Sequence, residues 1–287
     1  MRPVLRVLLL CLATNATARA AESVELDYRL RADRDLISEQ VNENVTTMRV
    51  LTDRGVVARS AARGVSYPLT YHVISRQRYR FTTGPAGTDG SFPATLAVLD
   101  RSTSLRLASG EEQPVPGPAL GTMVFKATID PQGHLLQPSV VSDSTDPDGQ
   151  EAFKTVLASV LEQAARIEPL RVEEGKAAQQ VVNLKLPLPG LAPLDLRITA
   201  TNRLMGVTDG VARVELVYAM AFGVPEGPVK IEASGTGGGT MLYDIGARLA
   251  RRLETNTLMN IVADAPDGRL EFQMNTRQTQ TMRPAAP

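Results

Sequence analysis

The sequence predicts a mainly β protein: a long-stranded, curved antiparallel sheet of half-barrel or open-barrel type, carrying one amphipathic helix. Three observations predict it. Apolar and polar residues alternate with period two through most of the chain, Gly- and Pro-containing turns punctuate those runs, and one stretch alone switches to helical spacing.

Residues 1–20 stand apart from that pattern. A basic start (Arg2, Arg6), an apolar run over 7–13 and the small-residue site Ala18-Arg19-Ala20 make the three parts of a secretory signal, cleaved near Ala20. The expected location is therefore periplasmic or secreted. The chain's one cysteine, Cys11, lies in this segment behind Leu8, Leu9 and Leu10, and lipid attachment normally wants a small residue there. A chain cleaved near Ala20 has no disulfide and no cysteine nucleophile.

From residue 21 the alternation begins. Val24, Leu26, Tyr28 and Leu30 point one way while Glu25, Asp27, Arg29 and Arg31 point the other, the pattern of a strand with one wet face. It recurs over 65–73, 194–200, 211–222 and 270–274, with turn residues Asp53-Arg54-Gly55, Asp130-Pro131-Gln132-Gly133, Asp209-Gly210 and Asp267-Gly268 between. Residues 36–51 contain neither Gly nor Pro and read as one very long strand. Long strands twist and coil, which favours a curved sheet over a small flat sandwich.

Over 148–166 the apolar residues Phe153, Val156, Leu157, Val160, Leu161 and Ala164 follow i, i+3, i+4 spacing, behind Asp146-Pro147 and ahead of Pro169. This helix should bury its stripe on the open side of the sheet, with Lys154 and Glu162 facing water. The expected organisation is a first β-rich part at 21–167, a Pro-rich connection at 168–193, a second β-rich part at 194–281 packed with the first, and a disordered tail at 282–287. The two parts echo each other, Leu26–Leu30 against Leu194–Ile198 and residues 121–125 against 239–243, as duplicated units or as similar meanders.

Charge excludes some functions. The 287 residues balance 31 basic against 31 acidic, and removing Arg2, Arg6 and Arg19 leaves the chain slightly acidic, so nucleic acid is not expected as a partner. Nor does any later apolar run approach the roughly 20 residues of a membrane-spanning helix.

The long alternating strands, the hairpin over 121–135 with its Asp-Pro-Gln-Gly turn, and the Gly239-Thr240-Met241-Leu242-Tyr243 stretch resemble exported bacterial β-rich proteins of unknown function. More remotely the pattern resembles the lipoprotein-localisation type of half-barrel carrier. That resemblance implies a curved sheet and covering helices that hold acyl chains.

Candidate sites are sparse. Residues 235–240 (Gly-Thr-Gly-Gly-Gly-Thr) imitate a phosphate loop but lack a lysine, and read as a hairpin or bulge. Residues 144–149 imitate a calcium loop, yet Ser144 and Thr155 stand where carboxylates should, so helix capping is the expected role and no metal is. His72 and His134 have no partner histidine and read as surface residues. Arg76, Arg78 and Arg80 alternate along one strand as a candidate basic stripe, for anionic headgroups or as a solvated face. Leu26, Tyr28, Leu196, Ile198 and Met274 are the candidate apolar face for a core or a ligand. No catalytic residue or cofactor is expected. The sequence favours an exported, non-enzymatic envelope protein that binds a partner or has a structural role; the alternative is a carrier of a hydrophobic, acyl-like ligand. An unfilled apolar cavity would distinguish the second.

Overall fold

A computed structural model describes residues 22–107, 109–115, 123–142, 167–186, 194–224 and 229–285, with residues 151, 154, 155, 157–159 and 161–163. The signal segment and the calcium-like loop lie outside the described residues. The strands are β1 (Ser23–Leu26), β2 (Arg34–Asp53), β3 (Leu69–Thr83), β4 (Phe92–Arg106), β5 (Glu112–Pro114), β6 (Met123–Ile129), β7 (Leu135–Ser142), β8 (Leu170–Glu173), β9 (Ala177–Leu186), β10 (Leu194–Thr208), β11 (Val211–Val224), β12 (Lys230–Asp244), β13 (Leu249–Ala265) and β14 (Gly268–Pro284). A short helix α1 (Val56–Ala61) follows β2. The described residues between 151 and 163 are helical and form α2.

The protein is mainly β, as predicted. Twelve strands form one sheet in the order β7-β6-β4-β3-β2-β14-β13-β12-β11-β10-β9, with β5 alongside β4, while β1 and β8 pair separately. The sheet is not closed into a barrel. Its 20-residue strand β2 covers the Gly- and Pro-free run singled out above.

Curvature follows from α2. The Ser159 hydroxyl and the Gln163 side-chain amide both donate to the Lys185 carbonyl on edge strand β9, each at 3.0 Å. The Lys185 N–H donates back to Gln163 Oε1 at 2.6 Å. On the same helix Leu157 and Leu161 pack against Phe92, Phe125, Ile129 and Leu135 at the opposite end of the sheet. Laid flat, that strand path would hold its edges about 50 Å apart. One helix about 10 Å wide touches both ends, so the sheet curls around it.

Register sorts the side chains into two faces. Leu196, Phe222, Ala233, Ile261, Phe272, Met48 and Leu69 lie in one cross-strand row. A row of Leu36, Phe81, Leu96 and Phe125 lies on the same face, toward the other strand ends. Between them runs a polar belt that includes Thr255, Gln278, Asn42, Ser75 and Thr103. The apolar face is thus two greasy bands divided by amides and hydroxyls. The opposite face carries the charges. At the β10–β12 end, the β1–β8 pair covers the apolar face, burying Val24, Leu26 and Val172 against Leu204, Val214, Met241 and Tyr243.

Turn chemistry acts where expected at the β10–β11 hairpin, where Asp209 and Gly210 both take positive φ, 50° and 75°, the geometry of a two-residue turn. Four expectations need correction. The strand over 65–73 begins only at Leu69, because Pro68 has no N–H to extend the ladder. The connection at 168–193 contains β8 and β9, built from residues 170–173 and 177–186, whose alternation its prolines obscured. The tail is structured through 285: β14 reaches Pro284 and the Ala285 N–H donates to the Asp35 carbonyl at 2.9 Å. The glycine run 235–239 is neither loop nor hairpin but the middle of β12. A Cβ at Gly235 would lie 2.7 Å from the Leu258 carbonyl oxygen, and one at Gly239 would collide with the Glu254 carbonyl, so glycine is what lets β12 and β13 approach. The echo between Leu26–Leu30 and Leu194–Ile198 is not a structural equivalence: Leu26 ends a strand of the small sheet, and Leu194 begins one in the large sheet.

Candidate functional site

Under α2 the curled sheet leaves an apolar cavity of about 480 Å³. Its floor comes from one face of four strands: Leu36, Ser38 and Gln40 of β2, Tyr79 and Phe81 of β3, Leu96 of β4, and Gln280 and Met282 of β14. Leu157 and Leu161 form the roof, and the segment Tyr28–Arg31 with residues 247–250 forms a wall. Each floor residue is there because alternate residues of a strand share a face.

The wall is held by a buried anchor. Asp27 is 1% exposed. Its carboxylate accepts from Arg29 Nε (2.9 Å), Arg29 Nη2 (3.0 Å), the Arg29 backbone N–H (3.1 Å), Arg31 Nη2 (2.8 Å) and Arg248 Nη1 (3.4 Å). The Arg29 guanidinium, followed by the Arg29 N–H and the Arg31 side chain, holds the Asp27 carboxyl far below the usual carboxylate range against the opposing effect of burial. Tyr28, 40% exposed, lies edge-on to Tyr243 with ring centroids 6.2 Å apart, and its hydroxyl donates to Met241 Sδ at 3.6 Å. Lost solvation pushes the Tyr28 hydroxyl up from its ordinary value.

The structure separates the five residues of the candidate apolar face. Tyr28 lines the cavity. Leu26 is fully buried in the β1–β8 core. Leu196, Ile198 and Met274 lie on the same sheet face as the cavity floor, but in the other apolar band; along β14, Met274 stands six residues from Gln280, about 20 Å. Alternation reveals the face a residue occupies, not its height along a strand.

Arg76, Arg78 and Arg80 point away from the cavity. Arg76 pairs with Glu112 at 3.0 Å and Arg80 with Asp35 at 2.6 Å, so the stripe is largely neutralised. Arg76 and then Arg106 pull Glu112 down to about 2. His134 Nδ1 lies 2.8 Å from Asp130 Oδ2 within its own turn. His72 differs from the surface reading: it is half-buried on the charged face, and its Nε2 is buried without a hydrogen-bond partner. Among the described residues no group of three or more His, Cys, Asp or Glu is placed to hold a metal ion.

Sequence reasoning passed over Leu36, Phe81, Leu96 and the arginines at 34 and 248 as site residues. The first three were visible as one face of long strands. That residues so distant in sequence meet under α2 depends on the curl, which no local pattern encodes.

No family model matches this sequence, and no characterised protein matches it by sequence. Structural likenesses are remote. One is to a lipovitellin structure solved for its lipid–protein interactions, with 7% identity and a TM-score of 0.43 over 89% of this chain and 26% of that one. This chain thus spans about a quarter of the lipovitellin chain. Another is to DynF from the dynemicin biosynthesis pathway of Micromonospora chersina, with 9% identity and a TM-score of 0.24 over 94% and 88% of the two chains. A third is to OccK7 of Pseudomonas aeruginosa, with 7% identity and a TM-score of 0.27 over 88% and 100%.

Proposed function

We propose that this protein is a non-enzymatic binder or carrier of a hydrophobic, acyl-type ligand, acting in the cell envelope. One observation carries the reading: the apolar cavity of about 480 Å³ between the curled sheet and α2. Its size falls in the ligand-pocket range of about 300–1,000 Å³, and its interior is mostly aliphatic and aromatic with a few polar groups. Apolar surface left to water costs about 25 cal/mol per Å², so a hydrophobic occupant is favoured there. The non-enzymatic part rests on the lining: Ser38, Gln40, Gln280 and the Tyr79 hydroxyl are the polar groups of the floor, and among the described residues neither a carboxylate nor an imidazole lines the cavity. The envelope location rests on the signal-like sequence of residues 1–20.

The test is an environment-sensitive apolar dye titrated into the purified protein. Saturable binding at one site per chain, abolished by the cavity-filling substitution Leu96→Trp in a chain that still folds, supports the reading. Unsaturable binding, or binding indifferent to Leu96→Trp, overturns it. Intact mass of the native protein should show a chain beginning at or near Ala21 with no acyl adduct; retention of residues 1–20 overturns the export assignment.

A further inference from the structure

We infer that the cavity's ligand is an amphiphile with an anionic head, its chain in the apolar interior and its carboxylate or phosphate oxygens against arginines at the mouth. This rests on the carrier reading and adds the chemistry of the head. Among the described residues four arginines line the cavity, Arg29, Arg31, Arg34 and Arg248, and no acid does. The carboxylate that pairs with three of them, Asp27, is buried behind the wall, and among the described residues it is the one acid in an ion pair with any of the four. Of the acids in the flanking chain, Asp35 pairs with Arg80 and Asp244 with Arg251.

Two guanidinium groups have capacity left. Arg34 Nη2 donates to the Ala247 carbonyl at 3.0 Å, and among the described residues no carboxylate pairs with it. Arg31 gives Nη2 to Asp27, and its side chain stays 36% exposed. Arginine forks suit carboxylate and phosphate oxygens alike, so the shared feature of the ligand is the charge and its planar or tetrahedral oxygens. Asp27 places the forks: by gripping one end of Arg31 and Arg248 it fixes where their remaining donors lie.

Displacement of a bound apolar dye tests this on the folded full-length chain, with dodecanoate, a dodecanoyl lysophosphatidylglycerol and dodecan-1-ol as competitors. At low salt, at least one of the two anions should displace the dye at a concentration tenfold or more below that of the alcohol. Raising the salt should narrow the gap, and the pair Arg31→Gln and Arg34→Gln should close it, the anions losing potency relative to the alcohol measured on the same variant. Success of dodecanoate alone identifies a free acid as the source, and success of the phospholipid alone identifies a headgroup phosphate. Equal potency of all three on the unmodified protein overturns the anionic head and leaves the carrier reading standing. Failure of all three to displace the dye overturns both. The comparison on the unmodified protein holds even if the variant does not fold.

Discussion

The Tyr243 hydroxyl and the Asp27 backbone satisfy each other twice: the Asp27 N–H donates to Tyr243 Oη at 3.0 Å, and the hydroxyl donates to the Asp27 carbonyl at 3.1 Å. A strand ladder normally performs this service, but β1 ends at Leu26 and Asp27 has no ladder partner. Tyr243, fully buried on β12, therefore ties the cavity wall to the sheet. Tyr243→Phe leaves two buried backbone groups unpaired and should lower stability by about 1–3 kcal/mol. Denaturant unfolding with an unchanged slope checks it; a midpoint shift under a few tenths of a kcal/mol would show that water replaces the hydroxyl.

The Asp27 carboxylate makes stability fall in acid, and the sign follows from its lowered value in the folded chain. Such a group contributes fully above the unfolded value of about 3.9, and the contribution fades as pH falls below it toward the folded value. Asp27→Asn should cost about 2 kcal/mol at pH 7, a discounted figure because the arginine partners are partly exposed. Between about pH 5 and 2 the variant should lose stability less steeply than the parent. Parallel curves across that window would mean that another carboxylate carries the acid sensitivity.

Leu157 forms part of the cavity roof and is half-buried, so Leu157→Ala should destabilise by about 2 kcal/mol, below the full core penalty. It should also widen the cavity and loosen dye binding. Glu162, although half-buried, has no ion pair among the described residues, and Glu162→Ala should stay within about 0.5 kcal/mol. Comparable losses for the two would remove α2 from the core.

Gly239→Ala should abolish or strongly impair folding, because the added methyl meets the Glu254 backbone, which cannot turn aside. Gly246→Ala is the control: the nearest atom to its new methyl is Asp244 Oδ1 at 3.6 Å, an ordinary contact. Soluble yield and circular dichroism of the two variants compare them directly.

The strands were legible where alternation is kept, as over 194–200, 211–222 and 270–274, and β2 was legible from the absence of Gly and Pro over 36–51. Leu157 and Leu161 were legible from helical spacing as residues packed against the sheet, while Phe153, Val156 and Val160 lie outside the described residues. The glycine run misled because glycine at a turn and glycine at a close strand approach look identical in sequence. Only the position of the Glu254 carbonyl separates them. The cavity was legible in kind and not in place. Met274 and Met282 share a face and a chemistry, and the difference between them is which one α2 covers.

The pairing of β2 with β14 carries a consequence for how the chain is made. Their ladder runs from Asp53 opposite Gly268 to Leu36 opposite Pro284, and the bond between Asn44 and Thr276 closes a loop of 232 residues. During synthesis β2 therefore waits, with one flank of its amides and carbonyls unmatched, until the residues that separate it from β14 have been made. Contacts so distant in sequence form slowly, and an unmatched strand flank is a template for any extended segment nearby. An arrested or clipped chain lacking β14 is thus not a smaller version of this protein. It presents a long adhesive seam, open to the β14 of a neighbouring copy, which the chain's own β14 otherwise fills.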